Sequence, residues 1–203
     1  MLSLSVSSII KRRKIMKKFL HFIAAALIAV PMVSMAHGPS RQQVKETIVI
    51  NAAPQKVWAM LKDFGAIDKW HPAVASVKVG TAEDERDGKE HTTRVLTLAS
   101  EGSPTITEEL LKSDDEKMML TYKITDMSVV KTITFNSKDT PYFTLPVATY
   151  KSWISVKAVD GGSQVMWKSK FYRSFMDNPP VPEGQSDKDA VNTIKGVITA
   201  GLE

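Results

Sequence analysis

Between Val74 and Phe175 the chain is written as pairs of alternating segments hinged on short turn sequences, and this pattern limits the fold more than any other feature. "VASVKVG" and "EHTTRVLTLAS" flank an acidic loop containing Asp87-Gly88. "TITEELLKS" and "MMLTYKIT" flank Asp114-Asp115, and "YKSWISVKAV" and "QVMWKSKFYRSF" flank Asp160-Gly161-Gly162. Strands joined by loops this short pair antiparallel, so the spacing predicts a meander. Residues 126–145 leave two readings open: "VVKTITF" is a further strand or a loop excursion.

Helical text brackets the strands. A first strand is predicted in "VKETIVINA" from the alternation of Ile48 and Ile50. Pro54 suits a first helical position, and Val57, Met60, Leu61 and Phe64 recur at helical spacing up to a stop at Gly65. "AIDKW" adds one turn before Pro72, which disfavours helix at His71. The proline-rich connector 176–185 precedes a final helix capped by Ser186 with Asp189 three residues on, whose apolar face is Ala190, Ile194, Val197, Ile198 and Leu202. Only this helix is large enough to cover a curved antiparallel sheet of six or seven strands, an α+β arrangement.

The front of the chain has a different character. "KRRKIMKK" precedes an apolar run from Phe19 to Val33, shorter than the ~20 residues that span a bilayer, and the run ends in Ser34-Met35-Ala36. Residues 1–36 therefore read as a signal peptide cleaved after Ala36, with residues 37–43 a short linker and 44–203 the folded domain. Translation from Met16 would give a complete leader as well, and an uncleaved anchor is the alternative. The leader holds six of the 27 basic residues and no acids, which leaves 21 bases against 22 acids in the remainder. The basic balance thus belongs to targeting, and the domain has no electrostatic case for nucleic acid. Cys is absent, which excludes disulfides and thiolate chemistry. A periplasmic location fits these features.

Few residues carry chemistry. Asp63-Phe64-Gly65 matches the magnesium tripeptide of kinases, but neither a glycine-rich loop nor a catalytic loop accompanies it. Beyond the leader the histidines are His37, His71 and His91, without the paired spacing a metal site needs, so neither metal nor cofactor is expected. His71, between Trp70 and Pro72 at a chain reversal, is either a general acid or base facing a cavity or a hydrogen-bonded corner residue. Glu108 and Glu109 fall on opposite faces by period 2; one faces inward with Arg94, or they form a cross-strand ion pair at the surface. Trp58, Trp70, Trp153, Trp167, Tyr122, Tyr150, Phe171 and Tyr172 could line an apolar pocket or fill a core.

The text "ETIVINAAPQKVWAMLKDFGAIDKWHPAVASVKV", followed by "RVLTL", "TITEELLKSDDEKMMLTYKIT", "LPVATYKSWISVKAV" and "GSQVMWKSKFY", resembles the SRPBCC superfamily of START-like, polyketide cyclase/dehydrase-type domains over residues 41–203. The leader, "AHGPS" and "DFGAIDKWHP" are similar to MxaD-like periplasmic proteins. The resemblance implies a helix-grip fold with an apolar cavity between sheet and C-terminal helix, its mouth at Trp70, His71 and Pro72. It also implies a small hydrophobic ligand, or an accessory role between a periplasmic dehydrogenase and its cytochrome. The candidate binding set is Trp70, His71, Pro72, Glu108, Tyr122, Trp153 and Trp167. The chain departs from the family at its early end, Glu203, and in "DMSVVKTITFNSKDTPYFT". Two other readings stay open: a cyclase or dehydratase using His71 as acid or base, and an interaction module built on an exposed apolar patch.

Overall fold

In a computed structural model of the chain, residues 38–84 and 87–203 are described. The leader, its cleavage site and His37 lie outside these residues. β1 (Gln42–Ile50) begins inside the expected linker and leads to helix α1 (Pro54–Leu61), a 3-10 turn at Ile67–Lys69, and the strands β2 (Val74–Asp84), β3 (Lys89–Leu98), β4 (Thr105–Asp114) and β5 (Met119–Met127). There follow β6 (Val129–Phe135), β7 (Lys138–Phe143), β8 (Val147–Val159), β9 (Gly162–Arg173) and helix α2 (Asp187–Leu202).

Seven strands form one curved antiparallel sheet in the order β1-β9-β8-β5-β4-β3-β2, and α2 lies against β1 and β9. The ambiguous "VVKTITF" is β6, a strand, but it pairs only with β7 in a separate two-stranded sheet. β9 shows why the large sheet has one dry face. Ser163, Val165, Trp167, Ser169, Phe171 and Arg173 are buried, and every residue between them is half-exposed. The β8–β9 turn depends on Gly162 (φ +146°), where a Cβ would stand 2.1 Å from the Ile50 carbonyl oxygen.

Both helices start as the sequence predicts. Pro54 occupies the first turn of α1. Ser186 and Asp189 make a reciprocal capping box on α2, each side chain accepting the other's backbone N–H at 3.1 Å. Ala190, Ile194 and Ile198 of α2 are fully buried, while Val197 and Leu202 are half-buried at the edge of the same face. The reading of α1 needs correction. The helix ends at Leu61, before Gly65, and Trp58 replaces Met60 on its buried face because the indole N–H reaches Asp115 Oδ1 at 2.7 Å. Phe64 is buried from the following turn, where Gly65 N–H donates to Asp63 Oδ1.

Candidate functional site

The chain reversal after α1 aims His71 inward. Trp70 N–H closes the 3-10 turn on the Ile67 carbonyl at 3.2 Å, His71 N–H donates to the same carbonyl at 2.8 Å, and Pro72 prevents continuation. The His71 ring lies in the core, with Nε2 3.1 Å from the Val197 carbonyl oxygen of α2 and Nδ1 3.2 Å from Ala73 N. Ala73 N–H can only donate and the Val197 carbonyl only accept, so the ring is the neutral Nε2–H tautomer. Burial lowers its pKa, opposed in part by the bond to Val197. Both ring nitrogens are occupied by backbone partners, the geometry of a hydrogen-bonded corner histidine.

Around that ring the last turn of α2 approaches the sheet very closely. The centroids of Trp70, His71 and Trp167 stand 5.8–5.9 Å apart pairwise, mostly edge to face. A Cβ on Gly201 would sit 2.6 Å from His71 Cδ2 and 2.7 Å from Trp167 Cζ3, so this approach requires glycine.

Beside the cluster is a cavity of about 60 Å³ between sheet and helix. Its apolar wall includes Ile67, Leu96, Leu98, Ile106, Leu145 and Val197, and its polar positions are His71, Glu108, Tyr122 and Tyr150. Four of the seven candidate residues therefore meet here: His71, Glu108, Tyr122 and Trp167. Trp70 stacks behind them, with its Nε1 buried and without a hydrogen-bond partner among the described residues. Pro72 and Trp153 do not belong to the site. Pro72 is exposed, because the residue after an inward-turned His71 faces out. Trp153 alternates out of phase with buried Ser152 and Ile154, and lies on the opposite face of the sheet under the ammonium groups of Lys168 (4.6 Å) and Lys151 (5.4 Å).

Glu108 holds the most costly position. Its partner is Arg94, directly opposite on β3, with Nε donating to Oε2 at 2.6 Å. Nη2 is equally near that oxygen, but at an angle that makes a charge contact and no hydrogen bond. Nη1 donates to the Phe64 carbonyl at 2.7 Å, and the guanidinium carbon lies 4.0 Å from the centroid of the Phe64 ring. The pair is thus deeply buried, contrary to the surface ion pair the sequence left open. Burial raises the Glu108 pKa, and Arg94 pulls it back. The "DFG" phenylalanine, far from phosphate chemistry, is what seats this arginine.

Across the cavity a hydroxyl chain is satisfied in one direction only. Ser152 Oγ accepts from Trp167 Nε1–H at 2.8 Å and donates to the Lys168 carbonyl. Ser169 must therefore donate to Ser152 (2.9 Å), and Tyr150 to Ser169 (2.7 Å). Burial raises the pKa of both Tyr122 and Tyr150, so these phenols stay protonated. Ser152 and Ser169 were missed by sequence reasoning, and Tyr150 was named only among the aromatic residues able to line a pocket or fill a core. Their signal is phase: they alternate with the lysines of β8 and β9.

β5 and β8 pair only from Met119↔Ser155 to Lys123↔Lys151 and then diverge. A cleft of about 220 Å³ occupies the split, bordered by Met127, Phe143, Val147 and Ser174, and it shares Ile124 and Tyr150 with the inner cavity. On the outer face, Asp84, Asp87 and His91 each bring a ligand atom within 4.8 Å of the others. Lys123 Nζ already stands 3.1 Å from Asp84 and 2.9 Å from Glu109, and His91 bonds Glu109 and Asp87, making this a salt-bridge cluster. Exposed large apolar residues are distributed over separate elements, such as Val49 on β1, Met60 on α1, Val79 on β2 and Val129 on β6. No helix among the described residues is long and apolar enough to cross a membrane.

Residues 41–203 match the family model described as "Polyketide cyclase / dehydrase and lipid transport". The fold is similar to that of XoxI from Bacillus cereus (TM-score 0.55, 24% identity, 79% of this chain and 89% of that one). It is also similar to the Zhui aromatase/cyclase from Streptomyces sp. R1128 (0.54, 16%, 80% and 90%) and to a START superfamily protein from Mycobacterium smegmatis (0.50, 14%, 79% and 94%). No curated protein sequence matches the chain significantly.

Proposed function

We propose, from the premise that the chain belongs to the polyketide cyclase / dehydrase and lipid transport family, that it is an exported, non-enzymatic protein which holds a small apolar molecule between α2 and the sheet. The observation that carries this reading is the cavity itself: an apolar wall with Glu108, Tyr122 and Tyr150 as its polar positions. Such a site orients a ligand by a few polar groups while apolar contact supplies affinity. Its volume of about 60 Å³ is well below the ~300–1,000 Å³ of ordinary ligand pockets. The occupant is therefore either very small or displaces Ile124 and Tyr150 and extends into the adjoining cleft.

The absence of a free ring nitrogen on His71 favours binding over acid-base catalysis. The leader-like first 36 residues support export to the periplasm. The similarity of the leader and of "DFGAIDKWHP" to MxaD-like proteins supports accessory service to a periplasmic dehydrogenase and its cytochrome.

Native mass spectrometry of protein purified from periplasm, with displacement of a fluorescent apolar dye, tests the ligand. The expected result is a released or displaceable molecule; a protein that carries none and binds no dye overturns the reading. The accessory role is checked by the rate of cytochrome reduction by the dehydrogenase with and without the protein, and an unchanged rate removes it.

A further inference from the structure

The outer face of the sheet carries two adjacent cross-strand rows whose charges oppose the rules of strand pairing. In one row Lys170 of β9 faces Lys151 of β8, which faces Lys123 of β5. In the next, Lys45 of β1 faces Lys168 of β9, which faces Trp153 of β8. Like charges directly opposite one another destabilise a sheet. Lys123 is neutralised by Asp84 and Glu109. Among the described residues Lys45, Lys151, Lys168 and Lys170 form no ion pair, and the two rows from β1 to β5, completed by Gln43 and Thr121, contain no acid. The concentration is local, because outside the leader the chain has 21 bases and 22 acids.

We propose that this face, with Trp153 at its centre, docks a carboxylate-rich face of another protein. A rule broken twice in neighbouring rows, at a cost to stability and with no carboxylate partner among the described residues, is what a binding surface leaves in a structure. Charge complementarity selects the partner: acids opposite Lys45, Lys151, Lys168 and Lys170 would relieve both repulsive pairs at once and steer the encounter. Trp153 is half-buried with two ammonium groups over its ring, and no aliphatic side chain stands in the two rows. With its one aromatic ring covered by ammonium groups, the face offers no uncovered apolar side chain to a lipid bilayer, which favours a protein. The inference stands on the register of β1, β9, β8 and β5, and does not depend on whether the cavity is filled.

The test titrates 15N-labelled protein with poly-L-glutamate as the acidic probe, and with phosphatidylglycerol vesicles in parallel. Expected are amide shifts at Lys45, Lys151, Lys168 and Lys170, a shift of the Trp153 indole N–H, and affinity that falls about tenfold between about 50 and about 200 mM salt. The variant Lys151→Gln/Lys170→Gln should bind about fivefold more weakly and unfold at the same or a higher temperature, since a repulsive pair is gone. Shifts confined to another face, or none, overturn the proposal. Vesicle binding without poly-L-glutamate binding overturns it in favour of a lipid surface. A less stable double variant overturns it by giving the lysines a structural role.

Discussion

Gly201 touches the His71 ring so closely that one added carbon would stand 2.6 Å from Cδ2. Gly196, in the same helix, has open space where its Cβ would be. Gly201→Ala is therefore expected to destabilise by about 1–3 kcal/mol through overpacking, while Gly196→Ala stabilises by roughly 0.5–1 kcal/mol through helix propensity. Urea denaturation of the two variants checks the opposite signs. Equal effects would mean that α2 does not pack against His71 and Trp167 as described.

The two core-facing and outer-face histidines should give opposite limbs of a pH-stability curve. Burial lowers the His71 pKa from its usual 6.5, so the unfolded chain binds the proton first on acidification. Its contribution is complete above 6.5 and declines as pH falls below that value. His91 is pulled downward by burial, but its bonds to Glu109 and Asp87 win and raise its pKa. Its contribution is complete below 6.5 and is lost as pH rises through the elevated value. Stability of His71→Gln relative to the parent should thus improve toward pH 5, and that of His91→Gln toward pH 8. A pH-independent difference for either variant refutes its assignment.

Arg94 and Glu108 should behave as one unit. Removing either partner strands a buried charge, so Arg94→Met alone is expected to cost about 3–5 kcal/mol, whereas Arg94→Met with Glu108→Leu recovers most of it. Chemical denaturation of the double-mutant cycle measures this. Additive losses would show that packing, and not charge, dominates the site.

Filling the cavity should separate binding from folding. Leu98 lines it at a half-buried position, and Leu98→Phe is expected to weaken binding of an apolar dye about tenfold, equivalent to about 1.4 kcal/mol. The circular dichroism spectrum should not change. Unaltered dye affinity would place the dye elsewhere, with the β5–β8 cleft the next position to probe.

Local chemistry made most of the architecture legible: the turn at Gly161-Gly162, the Ser186–Asp189 cap and the period-2 strands all follow from neighbouring residues. The site was less legible because it depends on phase and register. Trp153 and Trp167 are both strand tryptophans, and only the flanking residues separate them. Trp153 alternates in step with Lys151 and Lys157, Trp167 with Val165 and Phe171. Arg94 and Glu108 meet through strand pairing at a sequence distance of 14, and both Glu108 and Glu109 are buried, the first with Arg94 and the second with His91 and Lys123. The closeness of Gly201 to His71 joins positions 130 residues apart, and helical periodicity cannot show it. β6 was one of two readings left open, and its separation from the main sheet was not legible, since pairing partners are a tertiary property.

The split between β5 and β8 has a mechanical consequence. Five residue pairs tie β5 to β8, as many as tie β3 to β4 and fewer than the eleven between β8 and β9, and of the two five-pair seams it is β5–β8 that borders the cleft. The β5–β8 seam divides the sheet into two leaves, β2 to β5 on one side and β1, β9 and β8 with α2 on the other. Widening the angle between the leaves would enlarge the interior without unpairing any strand within either leaf. For the proposed ligand, the size limit would then lie in the stiffness of the β5–β8 pairing more than in the resting volume of the core.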